Sequence, residues 1–246
     1  MSDSGSIKNH NKLRQWGLWA TLGFSLIIIL AAVFAQIVVT VCFTVVSKIL
    51  HLDIHLSSLG SNGLLLAIGT CITSPMIVGL AFLFAKLRRG TTVKEYFCFN
   101  KTGRKEYSRW VVALFLLSFC SDLLSIILHK PIVPDFVVQA YSTARFTPLL
   151  WFAIIILAPL SEEILFRGFL FKGIENSRIG PAGAVILSSV GWSALHIQYD
   201  LYGIATVFAG GILLGSARFK TNSIYVPILL HAIWSLKKIK GDGSIL

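Results

Sequence analysis

An all-α bundle of membrane-crossing helices is the fold that two observations predict. The chain is 55% hydrophobic and only 13% charged, whereas an ordinary soluble domain carries roughly a quarter charged residues. Its apolar residues also gather in long runs between short polar connections. So little polar surface cannot cover a globule in water, but lipid accepts apolar side chains on the outside.

The first run, about Trp16 to Val46, follows a basic tail holding Lys8, Lys12 and Arg14. Val33-Phe34-Ala35 has the small-residue form of a signal cleavage site. The run is, however, about twice the roughly 7–15 residues of a signal core, and reads as an uncleaved first span. Further runs follow at 63–87, 110–128, 147–171, 181–197, 201–217 and 223–236. A helix needs roughly 17–25 residues to cross the hydrocarbon, and the last three runs are at or below the short end. The count is seven spans, with six to eight admitted. The chain divides into a cytoplasmic tail, 1–15, and one integral membrane domain, 16–246.

The net charge of +11 raises nucleic acid as a partner, but the positions of the charges speak against it. Lys86, Arg88, Arg89, Lys94, Lys101, Arg104, Lys105 and Arg109 crowd one connection, which is how positive charge sets membrane orientation. With seven alternating spans and the N-terminus inside, 15 Lys/Arg fall on the cytoplasmic side and 6 outside. The plasma membrane is the expected location. Lys237, Lys238 and Lys240 fall on the wrong side of this scheme. The same 86–109 connection mixes Tyr96, Phe97 and Phe99 with its bases, which suits a stretch at the lipid headgroups as well as a solvated loop. Cys42, Cys71, Cys98 and Cys120 show neither ligand spacing nor a disulfide pattern.

The chemistry concentrates in the fourth run, Leu157-Ala158-Pro159-Leu160-Ser161-Glu162-Glu163-Ile164-Leu165-Phe166-Arg167-Gly168. Each ionisable residue there costs roughly 2.5–3.5 kcal/mol at a helix centre on an insertion scale. Glu163 and Arg167 stand at i, i+4 and can neutralise each other, a purely architectural role. Glu162 points about 100° away and has no local partner. The fifth run ends Gly191-Trp192-Ser193-Ala194-Leu195-His196, and the seventh contains His231 and, one turn on, Ser235. A lone histidine near a helix end is usually a satisfied interfacial residue. Two of them beside an unpaired intramembrane acid point to a site, and the His231–Ser235 face can donate to a developing oxyanion.

Two chemistries fit a Glu, His, His set. Glu162 can act as general base with His196 holding the attacking water. Alternatively, Glu162, His196 and His231 can hold a zinc ion, the only cofactor the sequence points to. Both attack a peptide carbonyl with water. An ion pathway is a third use of intramembrane acids.

Weaker features have plainer readings. Gly211-x-x-x-Gly215 suits close helix packing. Pro159 and Pro227 each precede a site residue and can bend their helices. Asp122, alone in the third run, is expected to bond to a neighbouring helix. His51-x-Asp53-x-His55 is a remote candidate for metal capture.

The order Glu162-Glu163-x-x-x-Arg167, then Trp192-x-x-x-His196, then His231-x-x-x-Ser235, resembles the CPBP (Abi) family of intramembrane proteases over about 148–236. That family groups type II CAAX prenyl proteases with bacteriocin-processing and immunity-related membrane proteins. The resemblance implies a membrane-bound endopeptidase acting on a prenylated, leader-peptide or membrane-protein substrate. Glu162 would be the water-activating base and His196 its partner. Glu163 and Arg167 would shape the site, and His231 would help form the oxyanion hole. Two positions depart from the family pattern: Trp192 stands where Phe is usual, and Ser235 where Asn is usual. Ser keeps a donor of shorter reach, so the alternative is a catalytically weak or inactive member serving as an immunity or scaffold partner in the membrane.

Overall fold

The computed structural model of the chain describes residues 16–51, 56–88 and 90–240. Helix α1 spans Leu18–Ile49, α2 Gly63–Leu87, the single turn α3 Val93–Tyr96, α4 Arg104–Ile127 and α5 Asp135–Ser142. Helix α6, Thr147–Glu175, runs unbroken. It is followed by α7 Gly180–Ala194, α8 Leu201–Thr221 and α9 Tyr225–Lys240. Among the described residues there is no strand. The N-terminal tail, Asp53 and His55 lie outside the described residues.

Five helices (α1, α2, α4, α6 and α8) are long and apolar enough to cross a membrane, which corrects the expected seven, or six to eight. The excess came from the runs that form α7 and α9. These helices have 15 and 16 residues, and at about 1.5 Å per residue they rise roughly 22–24 Å, short of the roughly 30 Å hydrocarbon core. A helix packed inside a membrane bundle is as apolar as one that crosses it, so hydropathy counted both kinds. The charge balance built on seven alternating spans falls with the count. Lys237, which that scheme placed on the wrong side, reaches Asp122 on α4 at 2.5 Å, and the lone acid of the third run thereby has its neighbouring-helix partner.

The polarity of the bundle is reversed relative to a water-soluble core. Phe34, Leu116 and Phe119 are 61–69% exposed, while Glu163 and Arg167 are fully buried. Buried serines line the helix contacts, and Ser161 donates to Ser74, tying α6 to α2. Exposed apolar surface on this scale is stable only against lipid.

Two packing devices set the site. On α8, a Cβ added at Gly211 would sit 2.8 Å from Ser189 Cβ, and one at Gly215 would sit 3.3 Å from Val185 Cγ1. These small positions let α7 lie close against α8. The second device is the 86–109 connection. It turns back into the bundle and buries Tyr96 and Phe97 completely. Tyr96 stacks on Phe169, and Phe97 fills the space that a side chain at Gly168 would need. The Ile224 N–H donates to Cys98 O, and Asn100 Nδ2 to Asn222 O. The start of α9, and so His231, is registered against this connection.

Candidate active site

Helix α6 is distorted on both sides of the acidic pair. Residues 152–157 and 164–170 are wound as π-helix, with a regular α-helical turn, Ala158–Glu163, between them. Pro159 has no N–H to donate to the carbonyl four residues back, and the helix widens in the turn that precedes it. Such π-helical turns recur at functional sites because they re-aim the side chains beside them.

The two carboxylates face different surroundings. Glu163 is fully buried, and its Oε1 accepts from Arg167 Nη1 at 3.1 Å and from His231 Nδ1 at 2.9 Å. Arg167, also fully buried, donates a further bond to Gly211 O at 3.2 Å and lies 4.5 Å over the Trp192 ring. Arg167 thus spans α6, α7 and α8. The Glu162 side chain keeps 30% of its surface and lines a cavity of 310 Å³. Ile29 and Val33 of α1 and Ile77 of α2 form the apolar side of that cavity, and Trp192, His196 and Gln198 face them.

Trp192 joins the two systems. Its indole N–H donates to Glu162 Oε2 at 2.5 Å, while its ring carries Arg167 on one side. The rings of His196 and His231 each pack edge-on to it with centroids 5.0 Å away. His231 Nε2 lies 3.9 Å from Glu162 Oε2. His196 lies just beyond the end of α7, with Nδ1 bonded to Trp192 O at 2.9 Å, and lines the Glu162 cavity. Five of the six expected residues are therefore brought together. Ser235 is half-buried one turn beyond His231 and is not among the residues lining that cavity.

Among the described residues, no group of three His, Cys, Asp or Glu side chains has a geometry that holds a metal ion. The donor set does not fit zinc, which needs ligand atoms converging at about 2 Å from one point.

Two participants were not legible as site residues. Tyr199 stacks on His196 at 5.9 Å and is met edge-on by Phe136. Burial first, and then the charge of Glu162, push its hydroxyl up to about 12, partly offset by a bond with Gln198. In sequence it is one more aromatic beside an aspartate. Arg218, counted in sequence as a loop charge, is buried within α8. Its Nε donates to Arg167 O at 3.1 Å, and its guanidinium lies 5.5 Å over Phe171. Its signal was the apolar stretch immediately before it.

Comparison with known proteins finds similarity over this part of the chain. Residues 144–236 match the family described as type II CAAX prenyl endopeptidase Rce1-like. An uncharacterized 24.3 kDa protein of Escherichia coli is 37% identical over 81 residues, covering 32% of this chain and 37% of that one. The chain thus spans little more than a third of the length of that curated relative. No solved structure matches the chain. The matched segment carries Glu162, Glu163, Arg167, His196 and His231, and over it the chain is similar to the Rce1-like type II CAAX prenyl endopeptidases.

Proposed function

We propose that this protein is an intramembrane endopeptidase in which Glu162 activates the water that attacks a peptide carbonyl. The supporting observation is the unequal state of adjacent acids. Glu163 is buried on Arg167 and His231, whereas Glu162 opens onto a cavity that His196 also lines. An architectural role accounts for the first carboxylate and not for the second.

In this reading Glu162 takes a proton from water as the water oxygen adds to the carbonyl carbon. His196 holds the water from across the cavity. The carbonyl oxygen gains negative charge, and His231 is the donor for it. In its imidazolium form His231 keeps Nδ1–H on Glu163 and turns Nε2–H toward the reacting centre. The charges then balance: two carboxylates against Arg167 and the imidazolium. Collapse of the adduct breaks the C–N bond, and the proton held by Glu162 passes to the leaving amine. Glu163 acts through His231, whose ring it orients and whose charge it balances. The apolar wall of the cavity suits a substrate reached from the membrane, of which a prenylated C-terminus, a leader peptide and a membrane-protein segment are all examples.

The test is a comparison of protein termini in cells carrying the wild-type protein and cells carrying Glu162→Gln at equal membrane levels. The reading expects at least one membrane-associated substrate to lose its cut in the variant. Identical termini in the two strains, with both proteins folded and inserted, would contradict it.

A further inference from the structure

A second cavity, of 540 Å³, lies between α4, the segment after it, the start of α8 and the end of α9. This volume is within the roughly 300–1,000 Å³ typical of ligand pockets. Its lining is mixed and more polar than that of the cavity facing Glu162. Ser121 and Asp122 of α4, Tyr202 and Thr206 of α8, and Lys237 of α9 all face it. Gln198 lines both cavities, and its neighbour Tyr199, which stacks on His196, lines the polar one. Gln198 therefore lies between the two spaces.

We propose that this chamber binds the polar half of a peptide substrate whose apolar half lies in the Glu162 cavity. The proposal rests on the peptidase reading above and adds to it the substrate class, a chain that changes from apolar to polar at the cut. The argument is one of compensation. A peptide drawn away from bulk water must find partners for its N–H and C=O groups, since each left unpaired costs roughly 1–3 kcal/mol. The wall of Ile29, Val33 and Ile77 supplies none, so that half must carry its cost in apolar side chains. The hydroxyls of Tyr202 and Thr206 donate to backbone carbonyls and keep lone pairs that can accept from the N–H groups of a peptide. One wall, residues 130–134, is neither helix nor strand. It is set by Pro131 and by Pro134, which sits at φ −62°, ψ 143°. The Lys130–Asp200 and Lys237–Asp122 pairs, at 2.7 and 2.5 Å, place both signs of charge at the rim. The site therefore takes polar side chains generally and does not select one charge.

The experiment uses the full-length protein in proteoliposomes and synthetic decapeptides with one Leu/Val-rich half and one Ser/Thr/Asn-rich half, in both orders. All-apolar decapeptides serve as comparison. Thr206→Leu and Ser121→Leu each add bulk to the chamber from a different wall, so that one misfolded variant does not end the test. In wild type, cleavage of one mixed order is expected to exceed that of the apolar peptides by about tenfold or more. Each filling variant is expected to reduce that preference by about tenfold, through KM rather than kcat. An equal loss for both peptide classes would overturn the proposal and assign the chamber to water supply, and an unchanged preference would overturn it as well. Binding of the dye-labelled mixed peptide to Glu162→Gln, measured by anisotropy, separates the two readings. If wild type cleaves nothing, the peptidase reading fails, yet weaker binding on filling still supports the chamber. If filling leaves binding unchanged, the chamber assignment fails whatever the activity.

Discussion

At the scale of single residues, the site depends on giving two neighbouring acids different partners. Glu163 is enclosed by Arg167 and His231, so removal of the arginine strands a carboxylate in a place with no water. Arg167→Met is expected to cost about 3–5 kcal/mol, read as a lower thermal midpoint in detergent. Adding Glu163→Gln should recover part of the loss, and a single variant as stable as wild type would contradict the pairing. Ser235 gives the second prediction at this scale. Where the resembling family has Asn, a hydroxyl one turn beyond His231 offers a shorter donor, and one oxyanion donor is worth about 10²–10³ in rate. Ser235→Asn is expected to raise kcat about tenfold or more in a cleavage assay, with KM little changed. No activity in either form would favour the binding-partner role. The acidic pair, the arginine and both histidines were legible because an ionisable residue in an apolar run is costly enough to demand a reason. The partners that give those residues their roles were less so. Trp192 was readable as an aromatic at the family's position, but not as the link between Glu162 and Arg167. Tyr199 and Arg218 gave no signal distinct from that of a loop.

At the scale of elements, close approach is set by small residues and by caps. A Cβ at Gly210 would lie 1.9 Å from ring carbons of Trp234, whose indole packs 6.3 Å from that of Trp192. Gly210→Ala must push α9 from α8, at a cost of about 1–3 kcal/mol. Gly215→Ala, facing Val185 at 3.3 Å, should cost less. Thermal unfolding of the two variants checks the order, and a reversal would mean that α9 does not bear on α8 at Trp234. The N-terminus of α8 supplies a pH test. Asp200 bonds Lys130 and caps Gly203 N–H, and these two contacts, in that order, hold its carboxyl below the ordinary value. A depressed carboxyl contributes stability that is complete above its unfolded value, about 3.9, and is lost as pH falls through the lower folded one. Hydrogen-exchange protection at residues 201–204 should therefore drop as the pH is lowered from about 5 to below about 3. Asp200→Ala should show low protection that does not change over that range. Equal protection of wild type and variant at neutral pH would contradict the cap. The long helices were readable from hydropathy because nothing else explains predominantly apolar segments of 21 to 32 residues. The short α7 and α9 were misread as spans, since the same apolar composition serves burial between helices and exposure to lipid. The return of Tyr96 and Phe97 into the bundle was hidden for the opposite reason: basic neighbours made the segment look superficial.

At the scale of the whole molecule, the bundle buries the charges of its site and turns apolar surface outward, and it keeps two cavities that share Gln198 as a lining residue. The long helices α1, α2 and α6 supply the apolar wall, and the short α7 and α9 bring the two imidazoles to the acid of α6. Their shortness is part of this arrangement, because a helix end, rather than a mid-membrane turn, presents His196. The account stands on Glu162 as the base that activates water within this enclosure. The most direct measurement is the rate of peptide cleavage by purified wild-type and Glu162→Gln protein in proteoliposomes, with thermal midpoints recorded for both. Loss of a general base predicts a fall of about 10²–10⁴-fold or more with an unchanged midpoint. A variant that folds as well and cleaves within about threefold of wild type would contradict the claim.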